Sequence, residues 1–268
     1  MWNESKATFK RNFISTKEAV PYTSILGNLL SGFYLVLFSF LIYKYMFSES
    51  LSENFKRFSG TEDYITFVVL GSALYILAVS LLMMVSRSLI SELRQGSLEA
   101  IFLTPSSRFS YFFGTLLHGL IIVGIEFIGI ILTGLFFGFD ISNINMSLII
   151  IALLVIIFSF FAQAIFLGAV MIWFRDTYIT QNSLFIIMSL CSGVVFPVQY
   201  LPNVLQSLSQ IFPLYHGLLL FRAGFNNESI VNLQNVLFTL IVLGVVYLSA
   251  GLYMLKKIEP LIIEKIGE

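Results

Sequence analysis

The side chains able to do chemistry are few, and two of them share one apolar run. His118 and Glu126 both fall within Phe109–Phe139, and Glu126 is the one carboxylate deep inside such a stretch. A charge at the centre of a bilayer costs about 2.5–3.5 kcal/mol on insertion scales, so Glu126 must face a partner helix or an aqueous path. It is either a substrate-contacting or proton-carrying group, or a protonated, hydrogen-bonded glutamate that holds helices together. His118 sits eight residues earlier, about 80° away around a helix of 3.6 residues per turn. A relay between the two is open geometrically, although His118 also suits an anchor at headgroup level.

The other reactive types do not cluster. His216 is remote from His118 in sequence, and Cys191 is the single cysteine, which excludes an intrachain disulfide and a Cys-based metal site. Arg175-Asp176 reads as a plain turn or a second docking contact. No GxxxxGK[ST] phosphate loop occurs, nor GxGxxG, HExxH or GxSxG. The chain therefore does not bind ATP in the P-loop manner, and neither cofactor nor metal is expected on it. Directional work has to draw on a partner or an ion gradient.

The elements that position these residues are apolar. With 57% hydrophobic residues and only 11% charged, the composition is not that of a soluble domain, which carries about 25% charge. Net charge is zero, so nucleic acid is not an expected partner. Residues 1–24 are too polar for a cleaved leader, and residues 4–20 read as a basic amphipathic helix. Trp2, Phe9, Phe13 and Val20 lie on one side, with Lys6, Lys10, Arg11 and Lys17 elsewhere, as suits a helix in the headgroup layer. Crossings of ~30 Å of hydrocarbon are expected at Pro21–Tyr43, Tyr64–Ser86, Phe109–Phe139, Met146–Phe174, Thr180–Phe196 and Ser229–Leu255. The region 197–222 is cut by Pro197, Pro202 and Pro213. Its apolar residues Val204, Leu205, Leu208, Ile211 and Phe212 fit a short amphipathic helix in a re-entrant outer elbow, not a span.

Charge asymmetry orients the chain. With both termini inside, the inner segments hold Lys6, Lys10, Arg11, Lys17, Arg87, Arg94, Arg108, Arg175, Lys256, Lys257 and Lys265. The outer ones hold only Lys44, Lys56, Arg57 and Arg222. That bias fits six spans with cytoplasmic termini. The expected fold is all-α and integral to the membrane, with residues 25–268 as one six-span domain. The inner segment 87–108 is then the conspicuous feature. Leu89, Ile90 and Leu93, then Leu98, Ile101 and Phe102, are spaced helically on either side of Gln95-Gly96. This predicts a pair of short amphipathic helices, the second capped by Ser97, with Glu99 in its first turn and Pro105 at its end. Such a surface docks onto something. Among the glycines, Gly134 and Gly138 have close-packing GxxxG spacing.

The run ELRQGSLEAIFLTPSSR, residues 92–108, resembles the cytoplasmic signature of the ABC-2 family of ABC-transporter permeases. There an acidic residue, a Gly-Thr/Ser-Leu-Glu core and a Thr-Pro precede the third span. SGVVFPVQYLP (192–202) and FPLYHGLLLFR (212–222) resemble the family's second signature, which ends in an arginine before the last span. The resemblance covers essentially the whole chain. It implies a permease half-transporter paired with a second permease subunit, homomeric or heteromeric, above two separate ATP-binding subunits that carry the ATP and Mg. Glu92, Gly96, Ser97, Leu98, Glu99 and Pro105 match the coupling helix that fits the ATPase. Phe196, Pro197, Leu201, Pro202, Pro213 and Arg222 match the short outer helices that line the exit. The resemblance implies no enzymatic activity in the chain itself. It points to export of a drug, antibiotic, lipid or peptide across a prokaryotic plasma membrane. Phe212-Pro213 stands where polysaccharide exporters of the family carry Asn-Pro, which makes a lipid-linked polysaccharide the second cargo reading. An ion-coupled carrier or channel is the alternative of another class, and it would require more buried ionisable groups than Glu126.

Overall fold

A backbone surrounded by lipid must bond to itself, and an uncharged run long enough to cross does so as a helix. The computed structural model describes residues 2–19, 22–45, 53–59, 63–98, 103, 107–141, 144–174 and 178–264, and every regular element among them is helical. In chain order these are α1 (Trp2–Ala19), α2 (Tyr22–Tyr45), α3 (Glu53–Ser59), α4 (Tyr64–Gln95), α5 (Arg108–Phe136), α6 (Met146–Phe174) and α7 (Tyr178–Cys191). A 3-10 turn (Val198–Tyr200), α8 (Asn203–Ser209), α9 (Pro213–Phe225), a second 3-10 turn (Ile230–Leu233) and α10 (Gln234–Glu264) follow.

Among the described residues, α4, α5, α6 and the stretch Val231–Pro260 are long and apolar enough to cross a membrane. The pair α8–α9, bent by 82°, makes a fifth crossing if taken as one broken span. The chain is thus a multi-pass membrane protein; four or five crossings are counted by length and composition among the described residues, where six are expected from sequence. α2, Tyr22–Tyr45, is as long as the first expected crossing. One expected crossing is shorter in the structure. The run Thr180–Phe196 is not one helix: α7 stops at Cys191, and Gly193 turns the chain with a φ of +80°. The 14 residues of α7 rise about 21 Å, short of the ~30 Å hydrocarbon thickness.

α4 is the axis of the bundle. Its apolar window is 78% buried, against 28% for α5 and 17% for the last helix, and it touches α2, α5, α6 and α9. Apolar side chains gain little by meeting each other among lipid tails, so small residues that let backbones approach matter most. Gly71, Ser72, Ala73, Ala78 and Ser80 of α4 and Ala162, Ala164, Gly168 and Ala169 of α6 are all buried. The expected Gly134/Gly138 pair divides. A Cβ on Gly134 would lie 2.4 Å from Val69 Cγ1 of α4, whereas Gly138 lies past the end of α5 in a turn with φ +97°.

One expectation is corrected at the other end of α4. The helix runs unbroken for 32 residues to Gln95, about 48 Å. Leu89, Ile90 and Leu93 therefore belong to the extended end of the second crossing, not to a separate short helix, because nothing between Ser86 and Gln95 interrupts the backbone ladder. The basic N-terminal helix α1 packs along the start of α5. Ser5 Oγ donates to Ser110 O at 3.0 Å, and a Cβ on Gly114 would lie 2.5 Å from Ser5 O. Of the expected Ser97–Leu103 helix, Leu98 and Leu103 are helical, while Glu99 and Pro105 lie outside the described residues, as do Val20, Arg175-Asp176 and Lys265.

Candidate functional site

The end of α4 is finished by Gly96, whose φ of +72° only glycine adopts without strain. In that geometry Gly96 N–H donates to Leu93 O at 3.3 Å and Ser97 N–H to Glu92 O at 3.0 Å, which satisfies two otherwise orphaned carbonyls. The turn also brings Ser97 back over Glu92. The Glu92 carboxylate, 7% exposed, accepts from Ser97 Oγ, from Arg11 of α1, and from the Tyr111 hydroxyl of α5 at 3.2 Å. Arg11 stacks over the Tyr111 ring, 5.6 Å from its centroid. Leu98 is wholly buried beside this node and Leu103 is 74% exposed.

One carboxylate thus gathers three elements that are far apart in sequence. A buried charge is tolerated only where its hydrogen bonds are met, and here three donors meet them. A second ion pair at this end, Arg108 with Glu259, ties the first residue of α5 to the end of α10. The contacts of Glu92 tie the turn after α4 to α1 and α5.

His118 and Glu126 are both buried, at 4% and 1% exposure, but the structure gives them different partners. His118 lies against Phe9 and Phe13 of α1, edge-on at 6.3 and 6.4 Å between ring centroids. It is covered by α1. Glu126 accepts from Ser80 Oγ of α4 at 2.6 Å. Each closes a helix–helix contact, α5 to α1 for His118 and α5 to α4 for Glu126.

At the opposite end each expected proline starts a helical turn, where its missing N–H costs nothing. Pro197 precedes the first 3-10 turn, Pro202 precedes α8, and Pro213 is buried at the first position of α9. Leu201 O accepts from Gln206 Nε2 at 2.8 Å, and Phe196, half-buried, completes the turn before Pro197. Arg222 of α9 holds the elbow to the bundle. It donates to Gly193 O at 2.9 Å and to Phe67 O and Val194 O at 3.0 Å each, and its guanidinium lies 3.4 Å from the Phe67 ring centroid. Gly71 makes this possible, since a Cβ there would fall 2.0 Å from Val194 O. His216 Nε2 lies 3.0 Å from Gln210 O within the elbow.

Among the described residues no three His, Cys, Asp or Glu side chains are grouped to hold a metal ion. Arg11, Tyr111, Ser80 and Gly71 were not legible as site residues. Tyr111 is a lone phenol between phenylalanines one turn into a span, and Gly71 a single small residue in a long apolar run; both are weak signals. A family model described as ABC-2 type transporter matches residues 3–226. No curated protein matches the chain.

Proposed function

The chain belongs to the ABC-2 type transporter family, and from that premise we propose that this membrane permease is the half-transporter of an ATP-driven exporter. Permeases of this family work with a separate ATP-binding subunit, and the chain has no phosphate loop of its own. In the proposed assembly two permease subunits, identical or not, sit above two such ATPases in a prokaryotic plasma membrane. Both termini and the 87–108 segment face the cytoplasm, and the crossings number six. The cargo is amphipathic or apolar, a drug, antibiotic, lipid or peptide. ATP and Mg belong to the partner.

The observation that carries the reading is the Glu92 node. A coupling surface must be stiff, because a push of an ångström or two is useful only if it is not absorbed locally. Glu92 joins the turn at Gly96–Leu98 to α1 and α5 through Ser97, Arg11 and Tyr111. Glu99 and Pro105 belong to the same run of sequence and are assigned the same coupling role. Capture of the cognate ATPase on the membrane-inserted chain tests it. Glu99→Arg should abolish capture while insertion persists, and unchanged capture removes the coupling role.

A further inference from the structure

Among the four long apolar helices α10 is the least enclosed, and it rests mainly on α6. A Cβ on Gly251 would lie 2.7 Å from Phe166 N, and Ser159 Oγ donates to Leu240 O at 3.0 Å. The packed stripe runs on to the inner end of the helix. Gly251, Leu255 and Ile258 are buried at i, i+4 and i+7, whereas Lys256 and Lys257 are exposed. Glu259, next in line, is the charged group at 256–259 that turns inward, and it meets Arg108. Pro260 follows inside the helix and removes the N–H that would bond Lys256 O. Glu259 is thus carried on the last turn before that gap.

Arg108, its partner, closes the inner segment 87–108 and opens α5. The next residues of α5 bear on α6: Phe109 and Phe113 meet Phe161 at 5.8 and 6.5 Å between ring centroids. Both α5 and α10 therefore contact α6, and the Arg108–Glu259 pair adds a direct polar tie between their inner ends. With side chains 21% and 27% exposed, the pair is shielded on most sides from the water and salt that would screen it.

We infer that Arg108 and Glu259 are positioning residues that make the inner end of α10 follow the start of α5 when a bound ATPase changes state. The inference rests on the coupling role proposed for residues 87–108, and adds α10 to the helices gathered at Glu92. A partly exposed ion pair biases an equilibrium by no more than about fivefold, which sets the size of the effect.

Amide hydrogen exchange tests it on the full-length chain captured by its cognate ATPase, compared without nucleotide and with ATP plus vanadate. Exchange should change with nucleotide at residues 111–115 and also at 255–259. Arg108→Gln and Glu259→Gln should each shrink the change at 255–259 by about two- to fivefold and leave that at 111–115 in place. The exchanged pair, Arg108→Glu with Glu259→Arg, should restore it. A merely structural contact would instead shift exchange at 255–259 equally in both nucleotide states. An undiminished response at 255–259 in both single variants, no rescue by the exchanged pair, or no response there in the unaltered chain while 111–115 respond overturns the inference and leaves the coupling role standing. No response at either segment overturns the coupling role and the inference with it.

Discussion

Replacing Glu92 by alanine should loosen the coupling turn without unfolding the bundle. The node has three donors, and their losses differ. Ser97 Oγ donates to a charged, buried acceptor, a bond worth about 1.5–3 kcal/mol. Tyr111, only 8% exposed, would be left without an acceptor at a cost of about 1–3 kcal/mol. The Arg11 side chain is 46% exposed, so its contribution is discounted for solvent to about 0–1 kcal/mol. Together these come to about 2.5–7 kcal/mol, concentrated at the end of α4. Amide hydrogen exchange reads this locally. The Gly96 and Ser97 amides donate to Leu93 O and Glu92 O, and their exchange should accelerate by about two orders of magnitude or more. Amides in the buried middle of α4 should be unchanged. Glu92→Gln keeps the shape and an acceptor oxygen, and should cost about 1–2 kcal/mol. Exchange at Gly96 and Ser97 within about twofold of wild type in Glu92→Ala would refute the reasoning, since such a carboxylate would not be holding the turn.

Gly71→Ala forces a Cβ to within 2.0 Å of Val194 O. It should push the elbow off α4 and destabilise the protein by about 1–3 kcal/mol, seen as a lower thermal midpoint in detergent. Arg108→Ala removes an ion pair whose side chains are 21% and 27% exposed; the thermal midpoint should barely move, since such a pair contributes about 0–1 kcal/mol. Glu126→Gln retains an acceptor for Ser80, so the permease should still assemble while transport rate or substrate range changes. Loss of assembly on gel filtration would show instead that the carboxylate is a helix-packing group. Phe9→Ala combined with Phe13→Ala uncovers His118, and protease sensitivity of the N-terminal helix should rise while residues 64–95 stay protected.

The readable parts of the site were those encoded within a few residues of one another. Glu92, Gly96, Ser97 and Leu98 span two helical turns, and the break at Gly96 follows from its freedom at positive φ. The prolines at 197, 202 and 213 were read as cuts in the chain, and a helical turn starts at each. The partners of these residues were not readable. Arg11 meets Glu92 across 81 positions, and Arg222 reaches Phe67 O across 155; neither spacing leaves a periodic trace. Arg11 looked like one more basic residue on a headgroup-facing helix, although its charge is used on a carboxylate. The length of α7 was misjudged because an apolar run through Phe196 has the same hydropathy whether or not Gly193 turns it.

Hydrophobicity and its period, charge asymmetry and the backbone-special residues are properties of adjacent positions, so the chain alone determined that it is a helical, multi-pass membrane protein, that a helix stops at Gly96, and where the elbow begins. Lipid offers little sorting force between one apolar helix and another, so which helix lies at the centre was decided only when small residues on α4 and α6 let backbones close up. The same packing buried Glu92, Glu126 and Arg222. Burial, not residue type, obliged each to find partners from distant elements.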